Sequence, residues 1–370
     1  LIGNAFYDNK SHWIATAAGN SSYSNWGSNG YNANVAVITP SGSWSYTDAG
    51  SYFGIICQIY PDNPTTFPLP QITCPTRWTP SISVRGKCYQ QIAGGDFFSV
   101  TRGCLTTRIG DSHAELVTLT SQFEMMELYA MQPDFIPWTS LTSWEADGYW
   151  RWVETLHPTD YFGPNGPPSN NSGGTCASLR NDNVRSVCIV VATGMLQLYG
   201  TPCWSPGMAA ICQYFPDDPP APTLPNLNCP QNGTASLTKP GTCYYVLSQQ
   251  QSFQSARSAC QTLNSGFNYN DLFVPRTLGE YEEFEAIVFN QILNAHIWLG
   301  LTSSNGNWGW ISGRSSNITD IWCDGQPDTS QNPNDQCAFV DPSNRYSSIC
   351  WTAGDCTESY AAICQSSNTF

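Results

Sequence analysis

Sixteen cysteines recur in a set order along the 370 residues, and no other feature limits the fold as severely. Three segments close alike: Gly54-Ile-Ile-Cys57-Gln58, Ala209-Ala-Ile-Cys212-Gln213 and Ala361-Ala-Ile-Cys364-Gln365. The first two run on into Tyr60-Pro-Asp-Asn-Pro64 and Phe215-Pro-Asp-Asp-Pro219, followed by more prolines. Proline has no N–H and a fixed φ, so these stretches cannot continue a strand and serve as semi-rigid spacers. Each spacer then meets a Cys-Pro start, at Cys74 and Cys229. This self-similarity predicts a first segment 1–60, a linker 61–73, a repeat 74–213, a linker 214–228 and a repeat 229–370.

The two longer repeats share one order of elements. In 229–370 a short strand at Thr242-Cys-Tyr-Tyr-Val246 precedes a helix over 253–263, with Ala256, Cys260 and Leu263 at helical spacing. A second helix is expected from Thr277 to Leu293, where Thr277 and Glu280 have the spacing of a capping box. Short Trp-rich strands follow, at Ile297-Trp-Leu-Gly-Leu301 and Trp308-Gly-Trp310. In 74–213 the counterparts are helices over 98–108 and 121–131, then Pro137-Trp-Thr-Ser-Leu141 and Trp150-Arg-Trp152. Two helices followed by many short strands make an α+β class.

Composition narrows the function. Charged residues are 11% of the chain, against roughly 25% in an average soluble domain. The lysines are Lys10, Lys87 and Lys239, and the formal net charge is −14. A polyanion would be repelled, so nucleic acid and anionic membrane surfaces are poor partners and none is expected. No apolar stretch is long enough to span a bilayer. The cysteine content belongs to an oxidising compartment, and sequons at Asn9, Asn20, Asn170, Asn232 and Asn317 agree with a secreted glycoprotein. The chain opens without a signal peptide, so a processed or partial product is expected.

Read in order, these residues resemble the C-type lectin-like domain. Its marks stand in 229–370 as Cys229/Cys243, Cys260, Trp298-Leu-Gly-Leu301, Trp308/Trp310, Gln326-Pro-Asp328, and Cys337 with Cys356 and Cys364. The resemblance implies pairs Cys229–Cys243, Cys260–Cys364 and Cys337–Cys356, with Cys323–Cys350 as a fourth. In 74–213 it implies Cys74–Cys88, Cys104–Cys212 and Cys188–Cys203. Cys57 and Cys176 are left over as unpaired or intermolecular candidates. Residues 1–60 match the C-terminal half of such a domain, with His12-Trp-Ile-Ala15 as its Trp-containing strand and the long loop contracted. The expected partner of Cys57, a helix-one cysteine, has no counterpart there. Cys57 then pairs either with a segment outside this sequence or with another chain.

In that family calcium sits in the long loop and a sugar's hydroxyls complete its shell, so the resemblance implies Gln326, Asp328 and Asp335 as calcium ligands. The sequence departs from the family pattern after Trp351, where Thr352 and Ala353 replace the expected Asn-Asp and Asp355 comes two positions late. A hydrogen-bonded polar turn is the alternative reading of the same residues. The loop 163–171 of the second repeat carries no carboxylate, and neither it nor the first segment should bind the ion.

The tryptophans Trp150, Trp152, Trp308 and Trp310 read either as core or as a sugar-stacking platform, and their recurrence favours core. The acidic run Glu280, Glu282, Glu283 and Glu285 reads as a solvated helix face. His12, His113, His157 and His296 are scattered, and no HExxH, GxSxG or phosphate-loop motif occurs, so no catalytic residue is expected. Two functions follow from these residues. One is a secreted, non-catalytic tandem lectin-like protein that binds a glycan or an extracellular protein, with largely degenerate calcium sites. The alternative is a structural subunit that polymerises head-to-tail through the incomplete first segment.

Overall fold

The structure is a computed structural model. It describes residues 4–7, 10–13, 35–38 and 44–47, then 73–368 apart from 111, 132–136, 144–148, 154–158, 163–166, 169–174, 182–195, 217–226, 264, 293–294, 314–315, 317, 319–320, 331–333 and 344–348. Two compact units emerge: unit 1 comprises Leu1–Thr142, Trp150–Thr201 and Pro206–Ala221, and unit 2 comprises Ser143–Tyr149, Pro202–Ser205 and Pro222–Phe370. The architecture is α+β with few helices and many disulfides.

In unit 1 a first group of strands is β1 (Asn4–Tyr7), β2 (Lys10–Trp13), β3 (Val35–Ile38) and β4 (Trp44–Thr47), paired in the order β2-β1-β3-β4. The rest runs β5 (Thr79–Pro80), β6 (Cys88–Gly95), α1 (Phe97–Thr106), β7 (Arg108–Ile109), β8 (Ser112–His113), β9 (Glu115–Leu116), α2 (Gln122–Met131), β10 (Pro137–Thr142), β11 (Arg151–Trp152), β12 (Cys176–Asn181), β13 (Leu196–Thr201) and β14 (Met208–Tyr214). Helix α1 starts where Asp96 accepts from the Phe98 and Ser99 N–H groups, which satisfies two orphan donors. Its buried face carries Cys104, which is bonded to Cys212 on β14.

Unit 2 repeats that plan with β15 (Thr234–Ala235), β16 (Thr242–Gln251), α3 (Phe253–Gln261), β17 (Tyr269–Leu272), α4 (Leu278–Gln291), β18 (Ile297–Ser304), β19 (Asn307–Trp310), β20 (Asp335–Val340), β21 (Trp351–Asp355) and β22 (Tyr360–Ser367). The sheet orders correspond strand for strand: β13-β12-β10-β14-β6-β5 in unit 1 and β21-β20-β18-β22-β16-β15 in unit 2. One core packs α4 against β18, β20 and β22 through Tyr281, Phe284, Leu299, Val340 and Ile363. The other packs α3 against Trp298, Phe339 and the Cys260–Cys364 bridge. Thr277 caps α4 through its hydroxyl, and Glu280 reaches back to the Arg276 N–H, so the helix begins where the capping spacing places it.

The hairpin register revises the reading of the first segment. Asn4 faces Trp13 and Tyr7 faces Lys10, as Leu301 faces Trp310 and Ser304 faces Asn307. Every residue of β1 and β2 has its counterpart 297 positions later in β18 and β19. Trp13 therefore corresponds to Trp310 in the following strand, whereas the sequence reading equated it with Trp298. Trp310 stands 54 residues before Cys364 and Trp13 stands 44 before Cys57, so the contraction is ten residues and not 22. The pattern misled because a Trp followed by apolar residues occurs in both strands, and only pairing separates them.

Two further expectations change. Cys176, set aside as an unpaired or intermolecular candidate, is disulfide-bonded, as is Cys203. Register explains why: Cys176 lies opposite Thr142 on β10, as Cys337 lies opposite Thr302 on β18, so Cys176 takes the place that the sequence reading gave to Cys188. Cys57 and Cys188 lie outside the described residues. The glutamates of α4 are not a solvated face: Glu280, Glu282, Glu283 and Glu285 are 3%, 6%, 0% and 1% exposed.

Candidate ligand-binding loop

The segment between β19 and β20 is where the calcium ligands were expected, and local pairing pins it to β21. Trp322 forms a parallel bridge with Trp351. The Trp351 N–H donates to the Ile321 carbonyl at 2.7 Å, and the Cys323 N–H donates to the Trp351 carbonyl at 3.0 Å. The Cys323–Cys350 disulfide closes the same junction covalently. Above it, Trp351 is buried, with Trp310 and Trp322 edge-on at 5.3 Å and 5.7 Å; Trp308 stands edge-on to Trp322 at 4.8 Å. Trp308, Trp310 and Trp322 are half-buried, so the group is mainly a core wall whose outer rings also meet solvent.

From this base the chain turns through Asp324–Ser330, with a cis Gln326–Pro327 peptide. The Gln326 side-chain oxygen accepts two backbone N–H groups, from Asp328 and from Ala353 on β21, each at 3.1 Å. Asp328 Oδ1 accepts the Ser330 N–H at 2.9 Å and the Ser330 hydroxyl at 2.6 Å. Those two bonds hold the Asp328 carboxyl below the usual carboxylate range. Asp335 begins β20, in register with Asp355 on β21. Asp355 Oδ1 accepts the Thr357 N–H and hydroxyl, each at 2.8 Å.

As they are placed, Gln326, Asp328 and Asp355 do not fit calcium. The ion needs 6–8 oxygen ligands. The Gln326 oxygen would have to release two N–H donors, and position 353, where the family pattern expects a carboxylate, carries an alanine whose N–H is one of them. Asp328 and Asp355 each have one oxygen committed to a local turn. Among the described residues no group of three or more His, Cys, Asp or Glu is placed to hold a metal.

The bonded cysteine pairs are Cys74–Cys88, Cys104–Cys212, Cys229–Cys243, Cys260–Cys364, Cys323–Cys350 and Cys337–Cys356. Of the sequon asparagines, Asn232 is exposed, next to the short β15 strand; Asn9, Asn20, Asn170 and Asn317 lie outside the described residues. Sequence reasoning missed a carboxylate clasp that occurs in both units. Glu283 accepts from the Ser236 hydroxyl at 2.7 Å, the Leu237 N–H at 3.0 Å and the Thr238 hydroxyl at 2.9 Å. Glu127 does the same for Ser81, Ile82 and Ser83. The available signal was the shared spacing Ser121/Glu124/Glu127 and Thr277/Glu280/Glu283.

Residues 249–366 match the family model of the lectin C-type domain, and this part of the chain is a C-type lectin-like domain. Among solved structures, human lithostathine is similar at 24% identity over 38% of this chain and 100% of that one, with a TM-score of 0.33. The C-type lectin CEL-I from Cucumaria echinata is similar at 19% identity over 37% of this chain and 96% of its own, with a TM-score of 0.33. The C-type lectin domain of murine dendritic cell inhibitory receptor 2, solved in complex with an N-glycan, is similar at 20% identity over 38% and 99%, with a TM-score of 0.31. No curated protein matches the chain.

Proposed function

We propose that the chain is a secreted, non-catalytic binding protein of tandem C-type lectin-like repeats, which takes a glycan or an extracellular protein through the long loop of unit 2. The lectin C-type match over 249–366 carries this reading. The half-buried Trp308 and Trp322 beside a polar turn support it, because stacking surfaces next to hydrogen-bonding groups suit a sugar or a peptide. Secretion is supported by the fourteen disulfide-bonded cysteines among the described residues. No described helix is long and apolar enough to cross a membrane. The sheet-for-sheet correspondence of the two units supports tandem repeats, and the local bonds of Gln326, Asp328 and Asp355 support a largely degenerate calcium site in unit 2.

A glycan array probed with the full chain, with calcium and with chelator, tests the reading. Binding that is lost in a Trp308→Ala variant supports the long loop as the site. Failure to bind any glycan, together with failure to capture a secreted protein from conditioned medium, would sink it.

A further inference from the structure

We propose that in unit 2 the Gln326 carboxamide and the Cys323–Cys350 bridge do the bracing that a divalent cation would otherwise do, so the turn at 324–330 holds its shape without metal. The inference deepens the proposed function by stating how the binding loop is held. It does not depend on which ligand binds.

The argument starts from what a loop-bound cation accomplishes. It draws oxygens of the loop and of the neighbouring strand to one point and so ties loop to strand. Here the Gln326 oxygen is that point, and the charge it meets is two backbone N–H groups. One, from Asp328, lies within the turn; the other, from Ala353, lies on β21. A carboxamide oxygen has two lone pairs, and both are spent. At the base, the Gln326 N–H donates to the Cys323 carbonyl at 2.8 Å, and Cys323 is bonded to Cys350, one residue before β21 begins. Loop and strand are thus tied twice, by a covalent bond and by an amide clasp. A small residue at 353 fits this: Ala353 presents its N–H to Gln326, and no second carboxylate competes there for a cation.

Two measurements on the full chain test it. Calorimetric titration with calcium chloride should give no saturable heat, and amide exchange at Asp328 and Ala353 should be the same in calcium and in chelator. In Gln326→Ala, exchange at Ala353 should quicken roughly five- to tenfold, the loss of one ordinary hydrogen bond. A saturable calcium heat, or calcium-dependent protection at Ala353 in the unsubstituted chain, would overturn the proposal even if the variant failed to fold. Unchanged exchange in a folded Gln326→Ala chain would overturn it too. A negative glycan array leaves these outcomes untouched, so the two readings fail separately.

Discussion

At the scale of single residues, the buried carboxylates of α4 join distant parts of unit 2. Glu283 gathers donors from three successive residues of the N-terminal loop, and Glu127 repeats the arrangement in unit 1. Truncating Glu283 to Ala leaves those donors buried without an acceptor. Chemical denaturation should show unit 2 losing about 2–4 kcal/mol, and Glu283→Gln should lose less because a carbonyl oxygen survives. Glu285 behaves differently. Burial raises its pKa well above the usual value, and the nearby Glu282 adds to the effect, although the Ile349 N–H opposes it. Well below the ordinary glutamate pKa of about 4.3, both folded and unfolded chains hold this carboxyl protonated. Above that range the unfolded chain releases the proton while the folded chain keeps it, so stability falls as pH climbs towards the raised native pKa. A pH series of thermal midpoints should show this decline flattened in Glu285→Gln, which should also be the more stable chain at neutral pH. None of this was legible beforehand: a helix reading Glu-Tyr-Glu-Glu-Phe-Glu resembles a solvated face until partners more than 40 residues away are known.

Elements are joined by a few side chains whose demands are strict. In unit 1 Lys87, fully buried just before β6, is ion-paired with Glu124 of α2 and donates to the Thr118 carbonyl, while the Tyr89 hydroxyl donates to the same carboxylate. Desolvation lowers the Lys87 pKa, and the Glu124 charge works against that shift. Lys87→Met leaves the carboxylate buried without its counter-charge, a loss of about 3–5 kcal/mol expected from a denaturation midpoint; Lys87→Met with Glu124→Leu should recover much of it. In unit 2 Gly300 lets β18 lie close to the segment after β17: its N–H donates to the Phe273 carbonyl at 2.8 Å, and a Cβ there would meet Val274 at 2.6 Å. Gly300→Ala should therefore cost about 1–3 kcal/mol, read as a lowered thermal midpoint. Helix positions and the Trp-Leu-Gly-Leu strand were legible from spacing because helical period, caps and glycine are local signals. The Lys87 pair was not, because a lone lysine in a charge-poor chain carries no mark of where it points.

On the scale of the whole chain, covalent closure sets the ceiling on stability. The Cys260–Cys364 bridge spans 104 residues, and replacing both by Ser should lower unit 2 by about 4–5 kcal/mol in denaturant if the bond is unstrained. The order of cysteines made the fold readable in advance. It did not separate Cys176 from Cys188, because both precede Cys203 at distances a loop tolerates, and only strand register distinguishes them. Of the candidate site, Gln326 and Asp328 were legible as positions, whereas the fact that they satisfy backbone donors required the coordinates. The shared hairpin offset has a consequence of its own. Where the chain has kept two versions of one hairpin, Trp13 and Trp310 hold the same place while Ser11 and His12 stand where Trp308 and Gly309 do. What the two hairpins share is a backbone frame, and it tolerates different side-chain chemistry at the same places. Residues 4–13 and 301–310 are accordingly natural boundaries for grafting one version into the other.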